Sequence, residues 1–309
     1  STAKTTKKRS SSTARASPIE PNTMSHTRTA RTAQATSSTD KKSRTVTINL
    51  TAPTSWQELS QEQLRIVFDL MAIENESTAI KTYMLIYFCD LHVIRHTRFG
   101  WKFWTMVDGK KRVIYIKTSE MQSFIHQFDF IDQLEDMDCR LDAVCGLHAV
   151  DALLQDGVSF EEYLYAEKYY QNFIADKNME WLDNVAMWLY HDRKGRAAGH
   201  GDAVDDAGRK VDEIVLTPGE RIGTMLWYAH IKHVMADAFP HFFKKTTVED
   251  GEPEHVNFIE LYNVQLRALT GGDPTKEKEV LSLNCWRALT ELDAKAREAE
   301  ELEKIRKKT

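Results

Sequence analysis

Trp101-Lys-Phe-Trp-Thr-Met-Val-Asp-Gly-Lys-Lys-Arg-Val-Ile-Tyr-Ile-Lys117 is the stretch on which the reading of the fold turns. Trp101, Phe103 and Thr105 alternate with Lys102, Trp104 and Met106, the two-residue period of a strand with one face turned inward. Asp108-Gly109 separates this run from Arg112 to Lys117. Such a dipeptide between two strand-like runs is a strong hairpin signal, because a tight hairpin turn needs positive φ at both central residues. A two-stranded ribbon is only marginally stable in water. It must lean on its surroundings, and these read as helix.

On the N-terminal side, Ser60-Gln-Glu-Gln63 has the pattern of a capping box, and so has Ser55-Trp-Gln-Glu58. The first opens a helix with Leu64, Val67, Phe68 and Met71 on one face. Glu76 to Leu91 reads as a second helix, apolar almost all round in its C-terminal half and therefore buried. Val46 to Leu50 alternates weakly enough for a short strand. On the C-terminal side, Met121–Phe130, Asp138–Leu154, Ser159–Ala175 and Glu180–Tyr190 read as helices, the third with a capping box at Ser159 and Glu162. Residues 194–216 carry four glycines among charges and read as an exposed loop, with Val211–Leu216 a candidate strand. Thr217-Pro218 opens a helix that runs to about Ala238. Glu249–Glu254 is an acidic turn, and two helices follow from Val256, separated by Gly271-Gly272. The last starts at Asp273-Pro274 and carries Val280, Leu283, Trp286 and Leu289. Beyond Leu292 it turns into a charged, solvated helix end. The expected fold is mainly α: a multi-helix body with one small antiparallel β-hairpin and a disordered N-terminal tail. Its expected parts are a tail at 1–45, a body at 46–292 and a projecting helix end at 293–309.

The tail and the body are different kinds of polymer. Residues 1–45 hold twenty Ser or Thr, ten Lys or Arg, two acidic residues and no aromatic residue, a net +8. The whole chain is −5, so residues 46–309 carry −13. All seven Trp, ten Tyr and thirteen Phe lie in the body, enough for a sizeable core, whereas the tail cannot offset the entropy of ordering. The most apolar run, Tyr83–Leu91, is far short of the roughly 20 residues of a membrane span. No apolar leader stands at the start. Met24 is the first methionine, which leaves the status of residues 1–23 open. Cys89, Cys139, Cys145 and Cys285 suit reduced thiols in an intracellular protein.

Several constellations invite a chemical reading. Cys145-Gly-Leu-His-Ala-Val-Asp-Ala-Leu-Leu154 resembles the nucleophile segment of papain-like and Josephin-type cysteine peptidases, with His255 as the base such an enzyme would need. Against it, Asp138 and Arg140 stand where an oxyanion-donating Gln is expected. Leu141, Val144, Leu147, Val150 and Leu154 also recur as one face of a continuous helix, which would make Cys145 a buried structural residue. Cys139, Cys145 and His148 lack the second ligand pair of a zinc site. His230, His233 and Asp237 share a helix face, with His241 just beyond, so a metal there is conceivable; imidazoles on a polar helix face are the simpler reading. His92 and His96 suit a helix end, where an imidazole meets the dipole. Gly271–Lys276 lacks the spacing of a phosphate loop, and helix capping explains it. Asp202, Asp205 and Asp206 read as solvated. No catalytic, cofactor-binding or metal residue is therefore assigned. The basic tail could contact phosphates, yet it has no aromatic residue to stack on bases, and an acidic body offers no second basic face. Nucleic acid is accordingly a disfavoured partner.

Thr51-Ala-Pro-Thr-Ser-Trp-Gln-Glu-Leu-Ser60, Phe160-Glu-Glu-Tyr-Leu-Tyr-Ala-Glu167, Gln265-Leu-Arg-Ala-Leu-Thr-Gly-Gly-Asp-Pro-Thr-Lys-Glu-Lys-Glu-Val-Leu281 and Trp286-Arg-Ala-Leu-Thr-Glu-Leu292 resemble, in content and order, tail-region proteins of tailed phages and prophages of gut Bacteroides-type bacteria. The likeness covers most of residues 46–307 and leaves out the basic tail. It implies a non-enzymatic assembly or structural protein comparable to a tail-assembly chaperone. The implied partners are phage structural or tail proteins or a second copy of the chain, with no membrane, in the host cytoplasm or the virion.

Overall fold

The computed structural model describes residues 32–37, 44–134, 137–243 and 258–308. The described chain is mainly helical, with two three-stranded antiparallel sheets and one further strand pair. The elements are β1 (Thr32–Ser37), β2 (Arg44–Asn49), α1 (Gln61–Ile73), α2 (Ser77–Phe88), β3 (His92–Thr97), β4 (Gly100–Val107), β5 (Lys110–Lys117), α3 (Thr118–Ile125), β6 (Ala143–Val144), β7 (Leu147–Ala149), α4 (Phe160–Asp176), α5 (Trp181–Leu189), β8 (Tyr190–His191), α6 (Pro218–Ala238), α7 (Phe258–Thr270), α8 (Glu277–Leu281) and α9 (Cys285–Lys308). β1 pairs with β2, β3-β4-β5 form one sheet, and β6-β7-β8 the other.

The capping boxes at Ser60 and Ser159 form as the sequence predicts. Ser60 Oγ accepts from the Gln63 N–H while Gln63 Oε1 accepts from the Ser60 N–H. Ser159 and Glu162 repeat the exchange. At Ser55 no such box exists: Glu58 takes the Thr54 N–H instead, at the start of a single 3-10 turn. α1 buries Leu64, Val67 and Phe68 against α6. The two helices meet at Gly223, where a Cβ would stand 2.6 Å from the Phe68 ring.

The Asp108-Gly109 turn is present, with φ of 51° and 69°, and pairs Trp104 with Val113 and Lys102 with Tyr115. The single hairpin is nevertheless a correction: His92–Thr97 adds a third strand to it. The helical reading of Glu76–Leu91 hides the boundary because α2 ends without a glycine. Asp90 takes the left-handed position, φ 48°, and the Leu91 N–H reaches back to the Ile86 carbonyl, as at a glycine-terminated helix. The expected all-round burial is also corrected, since Tyr83 and Tyr87 on α2 are exposed. At the other end of the body, the expected single helix from Asp273 is three pieces. Asp273 accepts from the Thr275 N–H, but Phe160 N–H to Leu283 O and Cys285 N–H to Val158 O bracket Asn284, which bridges to Ser159 and interrupts the helix.

The largest correction concerns Asp138–Leu154, which is not a helix. Val144 and Leu147 are cross-strand partners on either side of a tight turn at Cys145-Gly146, φ 49° and 74°. Their three-residue spacing mimics one helical turn, and all five apolar residues of the supposed face are buried in the core. Side chains from elsewhere satisfy the irregular backbone that follows: Trp227 donates to Ala152 O, Trp286 to Leu153 O and Asn284 to Gln155 O.

Residues 194–216, expected to be an exposed loop with a strand at its end, have no strand at 211–216 and are built on two copies of one turn, Asp-x-x-Gly-Arg. In the first, Asp192 Oδ1 accepts from the Lys194 and Arg196 N–H groups and Oδ2 from the Arg196 guanidinium. In the second, Asp205 does the same with Ala207, Arg209 and the Arg209 guanidinium. Asp205 is thus bound rather than solvated. The second turn docks on the β6–β7 turn, with the Asp206 N–H on Gly146 O.

For the expected disordered tail, residues 1–31 and 38–43 lie outside the described residues. Within it, Thr32–Ser37 and Arg44–Asn49 are paired strands, in register from Thr32 with Asn49 to Ser37 with Arg44. The expected acidic turn at 249–254 and His255 also lie outside the described residues. Among the described residues, no helix is long and apolar enough to cross a membrane.

Candidate functional site

The β3-β4-β5 sheet concentrates what the rest of the body disperses. Residues 92–117 hold seven lysines and arginines against one acidic residue, Asp108. Strand alternation and register place Arg95, Lys102, Lys111 and Lys117 on the outer face, together with His92, Trp104 and Tyr115. The inner face carries Phe103, Ile114 and Ile116, all buried in the core. Among the described residues, none of the seven cations pairs with a carboxylate. Elsewhere the pairing is close: Arg65 with Glu220, Arg196 with Asp192, Arg221 with Asp183, Lys232 with Glu167. Arg95 even stands opposite Lys102 in the ladder, and like charges directly opposite one another oppose sheet formation.

Aromatic rings stand among these cations. His92 stacks on its cross-strand partner Trp104 with ring centroids 3.7 Å apart and planes 10° from parallel. The Lys111 ammonium lies 3.9 Å from the Trp104 ring centroid. At the corner where α2 runs into β3, a pocket of about 460 Å³ opens beside this stack, lined by Tyr87, Asp90, His92, Val93 and Trp104 among others. Asp90 Oδ1 lies 3.0 Å from His92 Nε2 and holds the imidazole at the rim. His92 and His96 are therefore sheet residues that stack on tryptophans, not helix-end residues.

The residues singled out from sequence fall elsewhere. Cys145 is at an exposed turn, not buried within a helix; its thiol lies 3.6 Å from the Val215 carbonyl. Desolvation raises its pKa, and the nearby Glu220 and Asp183 charges act in the same direction. Burial pushes Cys89 and Cys139 up to about 12. The residues around Cys145 thus favour the thiol over a nucleophilic thiolate. His148 joins Asp206, which Arg193 also holds. His233 and Asp237 are 3.7 Å apart on an exposed helix face, and His241 binds Glu300. A different pair of imidazoles flanks a buried carboxylate: His191 Nε2 and His200 Nε2 each lie 3.4 Å from Glu162 Oε1, and burial lowers the His191 pKa. Among the described residues, no group of three or more His, Cys, Asp or Glu side chains is placed to hold a metal ion.

The outer sheet face is inconspicuous in the sequence because its cations vanish into the acidic total of the body. A local count over 92–117 would have found them. Comparisons with protein-family models, with curated proteins and with solved structures give no match.

Proposed function

We propose that the protein is a non-enzymatic binding component that holds nucleic acid against the outer face of the β3-β4-β5 sheet. One observation carries the reading: Arg95, Lys102, Lys111 and Lys117 share that face without a carboxylate partner among the described residues, and rings stand between them. Unpaired cations attract phosphates, and interleaved rings suit bases. An acidic peptide would use the cations but leave Trp104 and Tyr115 without a role. The reading is supported by the local charge of residues 92–117, a basic face within the acidic body.

The test is fluorescence anisotropy of a labelled single-stranded oligonucleotide across a salt series. Four phosphate contacts give a slope of log K on log salt of about −3, at roughly 0.7 per contact on single strands. Lys102→Glu with Lys111→Glu should flatten the slope and weaken binding. The absence of binding at low salt would refute the proposal.

The exposed end of α9 favours a second reading, the phage tail-region assembly role that the sequence resemblance implies. Residues 301–307 on this helix are all exposed. Mass spectrometry of purified virions and pull-down from infected cells test it; recovery of neither virion nor tail proteins would remove it.

A further inference from the structure

We infer that the corner pocket between α2 and β3 is a slot for one unpaired nucleobase, which makes the sheet selective for single strands. This inference rests on the nucleic-acid reading of the sheet.

The pocket joins the two chemistries that a nucleotide needs. Its walls are flat: Tyr87 on α2, and the His92–Trp104 stack on the sheet. Tyr87 is 59% exposed, on a helix whose Met84 and Leu85 are completely buried. Lys102 lies two residues from Trp104 on the same strand face, about 7 Å away along the strand, with Arg95 opposite it. A base between the rings would thus have its phosphate within reach of two unpaired cations.

The slot also has a polarity. Asp90 lines it and is the only acidic residue among those that do. Its carboxylate repels phosphate and accepts hydrogen bonds, so it directs the backbone towards Arg95 and Lys102 and faces the base edge. At φ 48° the backbone asks for glycine, and Asp90 adopts the left-handed conformation while holding His92 against Trp104. A duplex cannot use such a slot without unpairing a base, whereas a single strand offers its bases freely.

The discriminating probe is an abasic strand with the same number of phosphates as its base-bearing counterpart. Anisotropy titrations with the full-length protein compare four short labelled probes: a single strand as DNA, the same as RNA, the matching duplex, and the abasic strand. The base-bearing single strand, as DNA or RNA, should bind on the order of tenfold or more tighter than the abasic strand, the effect of one stacked base. It should also bind tighter than the duplex. Tyr87→Ala should lower its affinity to the abasic level, with circular dichroism confirming the fold. Equal affinity for base-bearing and abasic strands, or tighter binding of duplex, would overturn the slot while leaving the basic face standing. Failure of every probe to bind would instead overturn the reading on which the slot rests.

Discussion

At Gly223 two helices touch through the absence of a side chain. Placing a methyl there sets it 2.6 Å from the ring of Phe68, which is completely buried and cannot swing away. Alanine would add about 1 kcal/mol of helix propensity, but overpacking a core costs about 1–3 kcal/mol. Gly223→Ala should therefore lower the thermal midpoint; an unchanged or raised midpoint would mean that α1 and α6 can separate at little cost. Cys145 allows a second residue-level prediction. Its raised pKa means less thiolate at neutral pH, so iodoacetamide should alkylate it more slowly than a free cysteine despite its exposure. Rapid alkylation would reopen the question of a reactive thiol. Single residues also mark where the sequence was and was not legible. Ser60, Ser159 and Asp108-Gly109 act through short-range hydrogen bonds and backbone preference, and each was readable. Cys145 was not, because a non-glycine residue at φ 49° leaves no compositional trace and Val144 and Leu147 keep a helical spacing across the turn.

At the scale of elements, the Asp-x-x-Gly-Arg turns are a natural experiment, since one chain builds the same device at two depths. The Asp192 carboxylate is fully buried, and the Arg196 side chain is 32% exposed. At the second turn the Asp205 carboxylate is 8% exposed, and the difference lies in the Arg209 side chain, which is 80% exposed. Burial of Asp192 works against its charge, but Arg196 and three backbone N–H groups hold its carboxyl well below the usual carboxylate range. A folded-state pKa below the unfolded value stabilises above the unfolded pKa and loses that contribution as pH falls through about 3.8 and below. Asp192→Ala should cost about 3 kcal/mol at neutral pH, as breaking a buried pair does. It should also make acid unfolding shallower in that window, and Asp205→Ala should cost less. Urea unfolding at pH 7 and pH 3 checks both; equal costs would mean that burial does not set the strength of the turn. Sequence periodicity missed these turns because their order comes from one carboxylate gathering local N–H groups, with no apolar pattern to betray it. The 13-residue interval between Asp192 and Asp205 was the available signal. For the same reason sequence periodicity does not show how far α9 stays tied to the body. Asp293 accepts from the His241 and Phe242 N–H groups and Glu300 binds His241, so the helix stays tied to the body well past Leu292.

At the scale of the whole molecule, the charges of the sheet and of the body oppose one another, and ionic strength decides which a distant polyanion feels. The chain is net −5, and residues 92–117 alone are net +6. At about 0.01 M salt the screening length is about 30 Å, so an approaching nucleic acid meets the repulsion of charges far from the sheet. At about 0.15 M it is about 8 Å, and only the sheet is felt. The salt dependence of binding should therefore bend: steep between about 0.05 and 0.2 M, where counterion release from the sheet's phosphates dominates, and flatter below about 0.02 M, where body repulsion offsets the gain. Residues 1–31 add seven Lys or Arg and one Glu, a net +6, so their removal leaves a chain of −11. That deletion should deepen the bend at low salt and leave the slope near physiological salt unchanged if phosphates are held by the sheet alone. A slope that falls by several units on deletion would place the phosphate contacts on the N-terminal segment, and the sheet would lose its claim to be the principal site.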